Sequence, residues 1–259
     1  MKIAIYYLEE NKEIVELIKS ESLRLGFSFD NENPDVIFSV GGDGTFLRAV
    51  HHYIDKLDSL TFVGINSGSL GFFYDFSKDD VVRITNALAN QTCPTREYPL
   101  LKGEAVYKDD KKTFFALNEI RIENPFHTLI SKVLVNKDEL ETFRGNGLIV
   151  SSSLGSSAYN KSLGGALIDS DLNALELTEI AGISNNVYRS LGSPLIIKGD
   201  KTITFTGDIS GSVIGYDYLS DKDSEGLESL SISYSDKKVR IIYSNDHSYV
   251  QRIRKSFVK

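Results

Sequence analysis

Gly41-Gly42-Asp43-Gly44-Thr45 sets one carboxylate among three glycines, directly after the apolar run Val36-Ile37-Phe38-Ser39-Val40. Glycine lets backbone approach a ligand closely and take positive φ, and backbone N–H groups at a helix start favour anions. The pattern predicts a buried strand that opens into a phosphate-sized nest, with a helix beginning at Thr45 and Asp43 at the rim. A carboxylate placed there can take the proton of a hydroxyl as that hydroxyl attacks phosphorus. The same residues would also make a plain tight turn; the strand before them and the helix after them favour the phosphate reading. The chain has no Gly-Lys-Ser/Thr of a Walker loop, so the glycines alone would have to leave room for a triphosphate.

A second cluster runs from Arg144 to Ser162. Gly145 and Gly147 flank Asn146, and an apolar run then leads into Ser151-Ser152-Ser153-Leu154-Gly155-Ser156-Ser157-Ala158-Tyr159-Asn160-Lys161-Ser162. Small hydroxyl residues allow close approach and donate to phosphate or ribose oxygens, and a tyrosine ring can stack on a flat base. The alternative is a polar turn followed by a surface serine loop. Asn118-Glu119, between Phe114-Phe115-Ala116-Leu117 and Ile120, is either a solvent-facing strand edge or a polar site inside a strand.

These residues need elements to hold them. Apolar runs over 2–8, 36–40 and 60–66 read as parallel strands. Ile14, Leu17, Ile18 and Leu25 predict a helix over 11–25 that stops at Gly26. Further helices are expected over 45–54 and, from the cap-like Ser77-Lys78-Asp79-Asp80, to residue 90. Such alternation gives a parallel sheet covered by helices, with ligands beyond the carboxyl ends of its strands. The first glycine loop and Asn66-Ser67-Gly68-Ser69-Leu70-Gly71-Phe72 both fall at such ends and are expected to face one crevice. Beyond Pro94 short β runs take over, at 100–107, 113–123, 131–135, 141–144, 148–151, 195–197, 202–206, 212–218 and 230–234. They predict a sandwich-like β domain, interrupted by a helix over 171–181. A strand over 239–243 and an amphipathic helix over 247–257, with Val250, Ile253 and Phe257 on one face, follow.

Composition bounds the partners. A chain of 259 residues suits one large domain or two modest ones. The formal net charge of −7 disfavours nucleic acid and anionic membrane as partners, although local contacts still admit a nucleotide. One cysteine, Cys93, excludes an intrachain disulfide and a cysteine-rich zinc site. Of His51, His52, His127 and His247, only the first two are adjacent, and neighbours on a helix point apart, so no metal site is read. No apolar run approaches the roughly 20 residues of a membrane span, and Glu9-Glu10 cut the first apolar run short of a leader. A cytoplasmic protein is expected.

In this order, Gly41-Gly42-Asp43-Gly44-Thr45, Asn66 to Phe72, Asn118-Glu119, Gly145-Asn146-Gly147 and Gly155-Ser156-Ser157-Ala158-Tyr159 resemble the motif series of the NAD kinase family. Gly164-Gly165-Ala166 and Gly192-Ser193-Pro194-Leu195 extend the resemblance over essentially the whole chain. Gly-Gly-Asp-Gly alone also has relatives among lipid kinases and phosphofructokinases; the later motifs single out NAD kinases. The resemblance implies a Rossmann-like α/β domain (1–97 plus 237–259) and an all-β sandwich domain that binds NAD (98–236), the tail returning to the first. It implies ATP-dependent phosphorylation of the adenosine ribose 2′-hydroxyl of NAD, with magnesium or another divalent cation accompanying ATP, in a homodimer or homotetramer. Asp43 would be the catalytic base. Gly41, Gly42, Gly44 and Thr45 would form the ATP phosphate loop. The NAD contacts would come from Asp43, Gly44, Phe72, Asn118, Glu119, Asn160 and Lys161, from Ser157, Ala158, Tyr159 and Ser162 around adenine and neighbouring groups, and from Arg144, Asn146 and Ala181 near nicotinamide.

The chain departs from the family pattern at four places. Asn146 stands where Asp is common, Ser157 where Thr is frequent, Phe73 where some relatives carry Tyr, and Tyr218 follows Asp217 where Gly or His is usual. A lipid or sugar kinase of the same superfamily and a non-catalytic NAD sensor are the rival readings; an assay against diacylglycerol or fructose 6-phosphate would show the first, and turnover with ATP separates the second from an enzyme.

Overall fold

The computed structural model describes residues 1–68, 71–244 and 248–258. Ser69, Leu70 and His247 lie outside the described residues. The chain divides into two compact units, Met1–Tyr98 with Lys237–Lys259, and Pro99–Asp236.

In the first unit, β1 (Lys2–Tyr7), α1 (Lys12–Arg24), β2 (Ser28–Phe29), β3 (Val36–Gly41), α2 (Asp43–His52), β4 (Thr61–Asn66), β5 (Phe76–Ser77) and α3 (Val81–Ala89) follow in turn. The strands pair in parallel in the order β2-β1-β3-β4. β3 is buried along its whole length, which is why it reads as an unbroken apolar run rather than an alternation. Ile14, Val15 and Ile18 of α1 and Val81, Ile84 and Leu88 of α3 cover the sheet. Gly26 ends α1 at φ +74°, a left-handed stop that glycine takes without a Cβ penalty. Ser77 and Asp80 form a reciprocal capping box ahead of α3.

The second unit carries β6 (Thr95–Tyr107, entering from the first unit), β7 (Lys111–Ala116), β8 (Glu119–Glu123), β9 (Leu129–Val135), β10 (Asp138–Gly145), β11 (Gly147–Ser152), α4 (Tyr159–Ser162), β12 (Ala174–Ile180), β13 (Leu195–Lys198), β14 (Ile203–Asp208), β15 (Val213–Tyr216), β16 (Leu219–Asp221) and β17 (Leu227–Ile242). One antiparallel series runs β10-β9-β14-β17, with β6 on β17 and β7 on β6; the other runs β13-β12-β11-β8-β15-β16. Phe143, Phe205 and Leu230 from the first meet Ile120, Leu148 and Leu175 from the second in one core. This is a sandwich, as the short alternating runs predict.

Four expectations are corrected. The stretch 171–181 is no helix: Ala174–Ile180 is a strand paired on both sides. Leu175 and Leu177 face the core while Glu176 and Thr178 find buried polar partners, a period of two that was hidden because both faces are buried. The run 113–123 breaks into β7 and β8, because the N–H groups of Leu117 and Asn118 bond to the Asp217 carboxylate. The runs 230–234 and 239–243 are parts of one strand, β17. After it, α5 (Tyr249–Ile253) is short and continues as a π-helical turn over Arg254–Val258. Val250 is 72 % exposed and drops out of the expected shared apolar face, whereas Ile253 is half-buried and Phe257 stacks on Phe72.

Candidate active site

In the first unit, Gly41 at the end of β3 is the register partner of Asn66 at the end of β4. The two glycine loops therefore leave the sheet side by side, at the carboxyl ends where ligands of parallel sheets gather. Asp43 opens α2, with Gly42 as an extended N-cap residue. Its two carboxylate oxygens accept the backbone N–H groups of Phe72 at 3.0 Å and Phe73 at 3.1 Å. Burial pushes the Asp43 carboxyl above its ordinary range, while those two N–H bonds and the charge of Arg252 pull it back.

The glycines around Asp43 differ in what they accommodate. A β-carbon on Gly71 would stand 2.3 Å from Asp43 Oδ1, whereas one on Gly42 or Gly44 would meet no atom within 4 Å. Gly44 sits in a helix, where glycine is destabilising relative to alanine by roughly 0.5–1 kcal/mol. The two open glycines thus have no packing reason to be glycine, and the space beside them is open.

Tyr74 anchors the loop from within. Its buried hydroxyl donates to the Gly42 carbonyl at 2.9 Å and lies 3.0 Å from Ser39 Oγ. Burial drives its pKa further above the ordinary phenolic value. Phe73 stacks face to face on Phe46, centroids 4.9 Å apart, and is 6 % exposed. The Phe73 departure is therefore a core position. Phe72 carries the Phe257 ring and accepts from Arg252 through its carbonyl at 3.1 Å.

In the second unit, Asn118 and Glu119 are buried between two turns. Asp217 accepts the N–H of Leu117 at 2.9 Å and of Asn118 at 2.7 Å. On the other side the Asn118 carbonyl accepts Ser152 N at 2.9 Å, and Ser152 Oγ donates to the Leu117 carbonyl at 2.7 Å. Gly155 packs so tightly on this turn that a β-carbon would fall 2.0 Å from the Asn118 carbonyl oxygen. Glu119 Oε2 is buried with no hydrogen-bond partner, and Oε1 lies 3.6 Å from Arg121. Burial, with the nearby Asp217, pushes the Glu119 carboxyl up to about 8.

Asp217 takes φ +48° in a two-residue hairpin loop between Tyr216 and Leu219. Tyr218 has no positive φ, so this loop has no backbone need for a glycine at that position.

The serine loop splits its roles. Tyr159 is 36 % exposed, donates to Glu123 at 3.3 Å, and has the Arg121 guanidinium 5.4 Å from its ring centroid. Ser157, Ala158 and Lys161 are half-buried and Ser162 is exposed. Asn160 points the other way. It is fully buried, donates to Glu176 at 2.7 Å and accepts from Thr178 at 2.7 Å, so its side chain holds the loop from inside.

Arg144, Asn146 and Ala181 come together at one sheet end. Asn146 N–H donates to the Ile180 carbonyl, its Nδ2 donates to the Asn124 carbonyl at 3.1 Å, and its own carbonyl accepts Asn124 N. The Arg144 guanidinium lies 4.2 Å from the Tyr188 ring centroid, and Ala181 takes φ +48°. Tyr74 and Arg252 were not foreseen from the sequence, and Asp217 only as a departure. A polar residue in a hairpin loop was the one signal for Asp217; Arg252 has none in its own neighbourhood.

Comparison with known proteins matches both parts of the chain. Residues 8–93 fit the family model described as ATP-NAD kinase N-terminal domain, and residues 117–244 that described as ATP-NAD kinase C-terminal domain. An NAD kinase of Limosilactobacillus reuteri is 35% identical over 266 residues, covering 100% of this chain and 98% of the relative. NAD kinase 1 of Oceanobacillus iheyensis is 36% identical over 256 residues, covering 96% and 95%. Among solved structures, yeast NADH kinase complexed with NADH matches with a TM-score of 0.84 at 16% identity, covering 98% of this chain and 86% of that one. The Archaeoglobus fulgidus NAD kinase in complex with ATP matches at 0.78 and 24% identity, covering 99% and 97%.

Proposed function

Because the chain belongs to the NAD kinase family and phosphorylates NAD to NADP with ATP, we propose that Asp43 is the general base of that transfer. The observation that carries this reading is the carboxylate itself. It is half-buried, gripped by two backbone N–H groups, and set beside two glycines with open space. Each gripped oxygen keeps a lone pair for the ribose 2′-hydroxyl. As the hydroxyl oxygen bonds to the γ-phosphorus, its proton passes to Asp43 and the bond to the β-phosphate oxygen breaks, releasing ADP. Burial raises the proton affinity of Asp43, which strengthens it as a base.

The remaining assignments follow in the same reading. Gly41, Gly42, Gly44 and Thr45 border the triphosphate, with the α2 N-terminus favouring its charge. Phe72, Asn118, Glu119, Ser157, Ala158, Tyr159, Lys161, Ser162, Arg144, Asn146 and Ala181 contact NAD, and Asn160 supports them from behind. The units 1–97 plus 237–259 and 98–236 are the catalytic and NAD-binding domains. A magnesium ion carried by a triphosphate takes most of its oxygens from phosphate and water. Among the described residues no three His, Cys, Asp or Glu side chains gather as a cage. When bound, the ion supplies neutralisation of phosphate charge. A homodimer or homotetramer in the cytoplasm completes the reading.

The test is NADP formation from NAD, ATP and magnesium, read through an NADP-specific dehydrogenase, with Asp43→Asn alongside. The native chain should form NADP and the variant should lose roughly 10²-fold or more in turnover while still binding NAD by calorimetry. Near-native kcat in the variant removes Asp43 from the base role.

A further inference from the structure

Asp43 is held by a loop that is itself held from the far end of the chain. The Ser248 side chain accepts Gln251 N at 3.2 Å and the Gln251 side chain accepts Ser248 N at 2.9 Å, a capping box that starts α5. From that helix Arg252 reaches the segment 72–75. One guanidinium nitrogen donates to the Phe72 carbonyl at 3.1 Å and another to Asp75 Oδ1. Asp75 Oδ2 accepts Ser244 N at 2.9 Å. The Arg252 and Asp75 side chains are 14% and 6% exposed, and Phe257 stacks on Phe72 with centroids 5.7 Å apart.

The Phe72 carbonyl and the Phe73 N–H belong to one peptide unit, which is planar and rigid. Arg252 bonds the carbonyl end of that unit, and the N–H end donates to Asp43 Oδ1 at 3.1 Å. A cation on the carbonyl fixes the tilt of the peptide plane and polarises its N–H into a stronger donor, since linked hydrogen bonds reinforce one another. We infer that Arg252 is a positioning residue for phosphoryl transfer: from the C-terminal helix it fixes the Phe72–Phe73 peptide whose N–H orients the Asp43 carboxylate. This rests on the reading of Asp43 as the base.

Two consequences distinguish this role from simple support of the fold. The first concerns geometry: a tilted peptide misplaces the base, and misplacement of about 1 Å can cost 10²-fold in rate without weakening substrate binding. The second concerns charge. Among the described residues of this unit the ionisable groups that face Asp43 are Arg252 and Tyr74, with Asp75 behind Arg252. Loss of the cation leaves burial less opposed, so Asp43 gains proton affinity and the acid limb of kcat moves to higher pH.

The experiment uses the full chain with Arg252→Gln and Arg252→Lys, each alone and Arg252→Gln also combined with Asp43→Asn. Readouts are kcat, KM for NAD, the acid limb of kcat and the thermal midpoint. Arg252→Gln should lower kcat about 10- to 100-fold with little change in KM and should move the acid limb upward. Arg252→Lys should restore the limb but not the full kcat, because lysine keeps the charge without the planar fork. In the Asp43→Asn background, residual NADP formation over hours should change by no more than about twofold on adding Arg252→Gln, as expected when one residue acts only through the other. Equal losses in both backgrounds, or unchanged kcat in folded Arg252 variants, overturn the inference. Wild-type turnover in Asp43→Asn alone overturns the base reading instead. Should Arg252→Gln fail to fold, Arg252→Lys decides: lowered kcat with an unmoved acid limb upholds the role, and native kcat removes it.

Discussion

Gly71 approaches Asp43 so closely that a β-carbon on it would lie 2.3 Å from Oδ1 and 2.8 Å from Cγ of the carboxylate. No native contact tolerates such a distance, so the glycine is the reason that the loop can wrap Asp43 and present the Phe72 and Phe73 N–H groups to it. Gly71→Ala should push the carboxylate off its two donors. The expected result is a fall in kcat of roughly 10²-fold with a thermal midpoint only modestly lower, since Asp43 is a side chain that can give way. Steady-state kinetics beside a melting curve checks this; native kcat would mean that the grip on Asp43 is dispensable.

Gly42 gives the opposite case. A methyl group there meets nothing within 4 Å, and its backbone, at φ −118° and ψ 176°, is ordinary extended geometry. Gly42→Ala should therefore fold as well as the native chain or slightly better, because alanine loses less entropy on folding. Its KM for ATP should rise several-fold if a phosphate occupies that space, as backbone approach to a phosphate has no room for a side chain. Unchanged KM would leave the open space without a ligand.

The two loops explain what was legible in the chain. The strand 36–41 and its glycines could be read directly, because a strand buried on both faces is a continuous apolar run and an aspartate among glycines has few structural uses. The stretch 174–180 misled because Glu176 and Thr178 are buried opposite Asn160, so polar positions marked the interior instead of the surface. Arg252 and Tyr74 left no local trace. Their importance lies in contacts across 180 and 32 residues, which periodicity over a dozen residues does not report.

Glu119 should make stability depend on pH. Unfolded, its carboxyl titrates near 4.5; folded, burial raises that to about 8. Between those values the folded state holds a proton that the unfolded state has released, so the group's contribution to stability falls as pH rises and levels off above about 8. The slope is at most about 1.4 kcal/mol per pH unit. Glu119→Gln, which cannot titrate, should match the native chain near pH 5 and exceed it increasingly up to pH 8. Denaturant unfolding of both proteins from pH 5 to 9 checks this; a constant difference would place Glu119 in an ionised state throughout.

Asn146 stands where the family pattern commonly has aspartate, and its Nδ2 donates to the Asn124 carbonyl at 3.1 Å. A carboxylate only accepts, so Asn146→Asp would set an anion against a carbonyl oxygen and leave that oxygen without its donor. The expected loss is about 1–3 kcal/mol of stability, the cost of an unmade hydrogen bond at a half-buried group. The turn over Asn124 and Asn146 is also secured by two backbone bonds, Asn124 N to the Asn146 carbonyl and Asn146 N to Ile180, so the fold should survive. On the proposed reading of Asn146 as an NAD contact outside the transfer itself, KM for NAD should change more than kcat. Kinetics at saturating ATP separate the two: a large fall in kcat at constant KM would move Asn146 from substrate contact into the reaction itself.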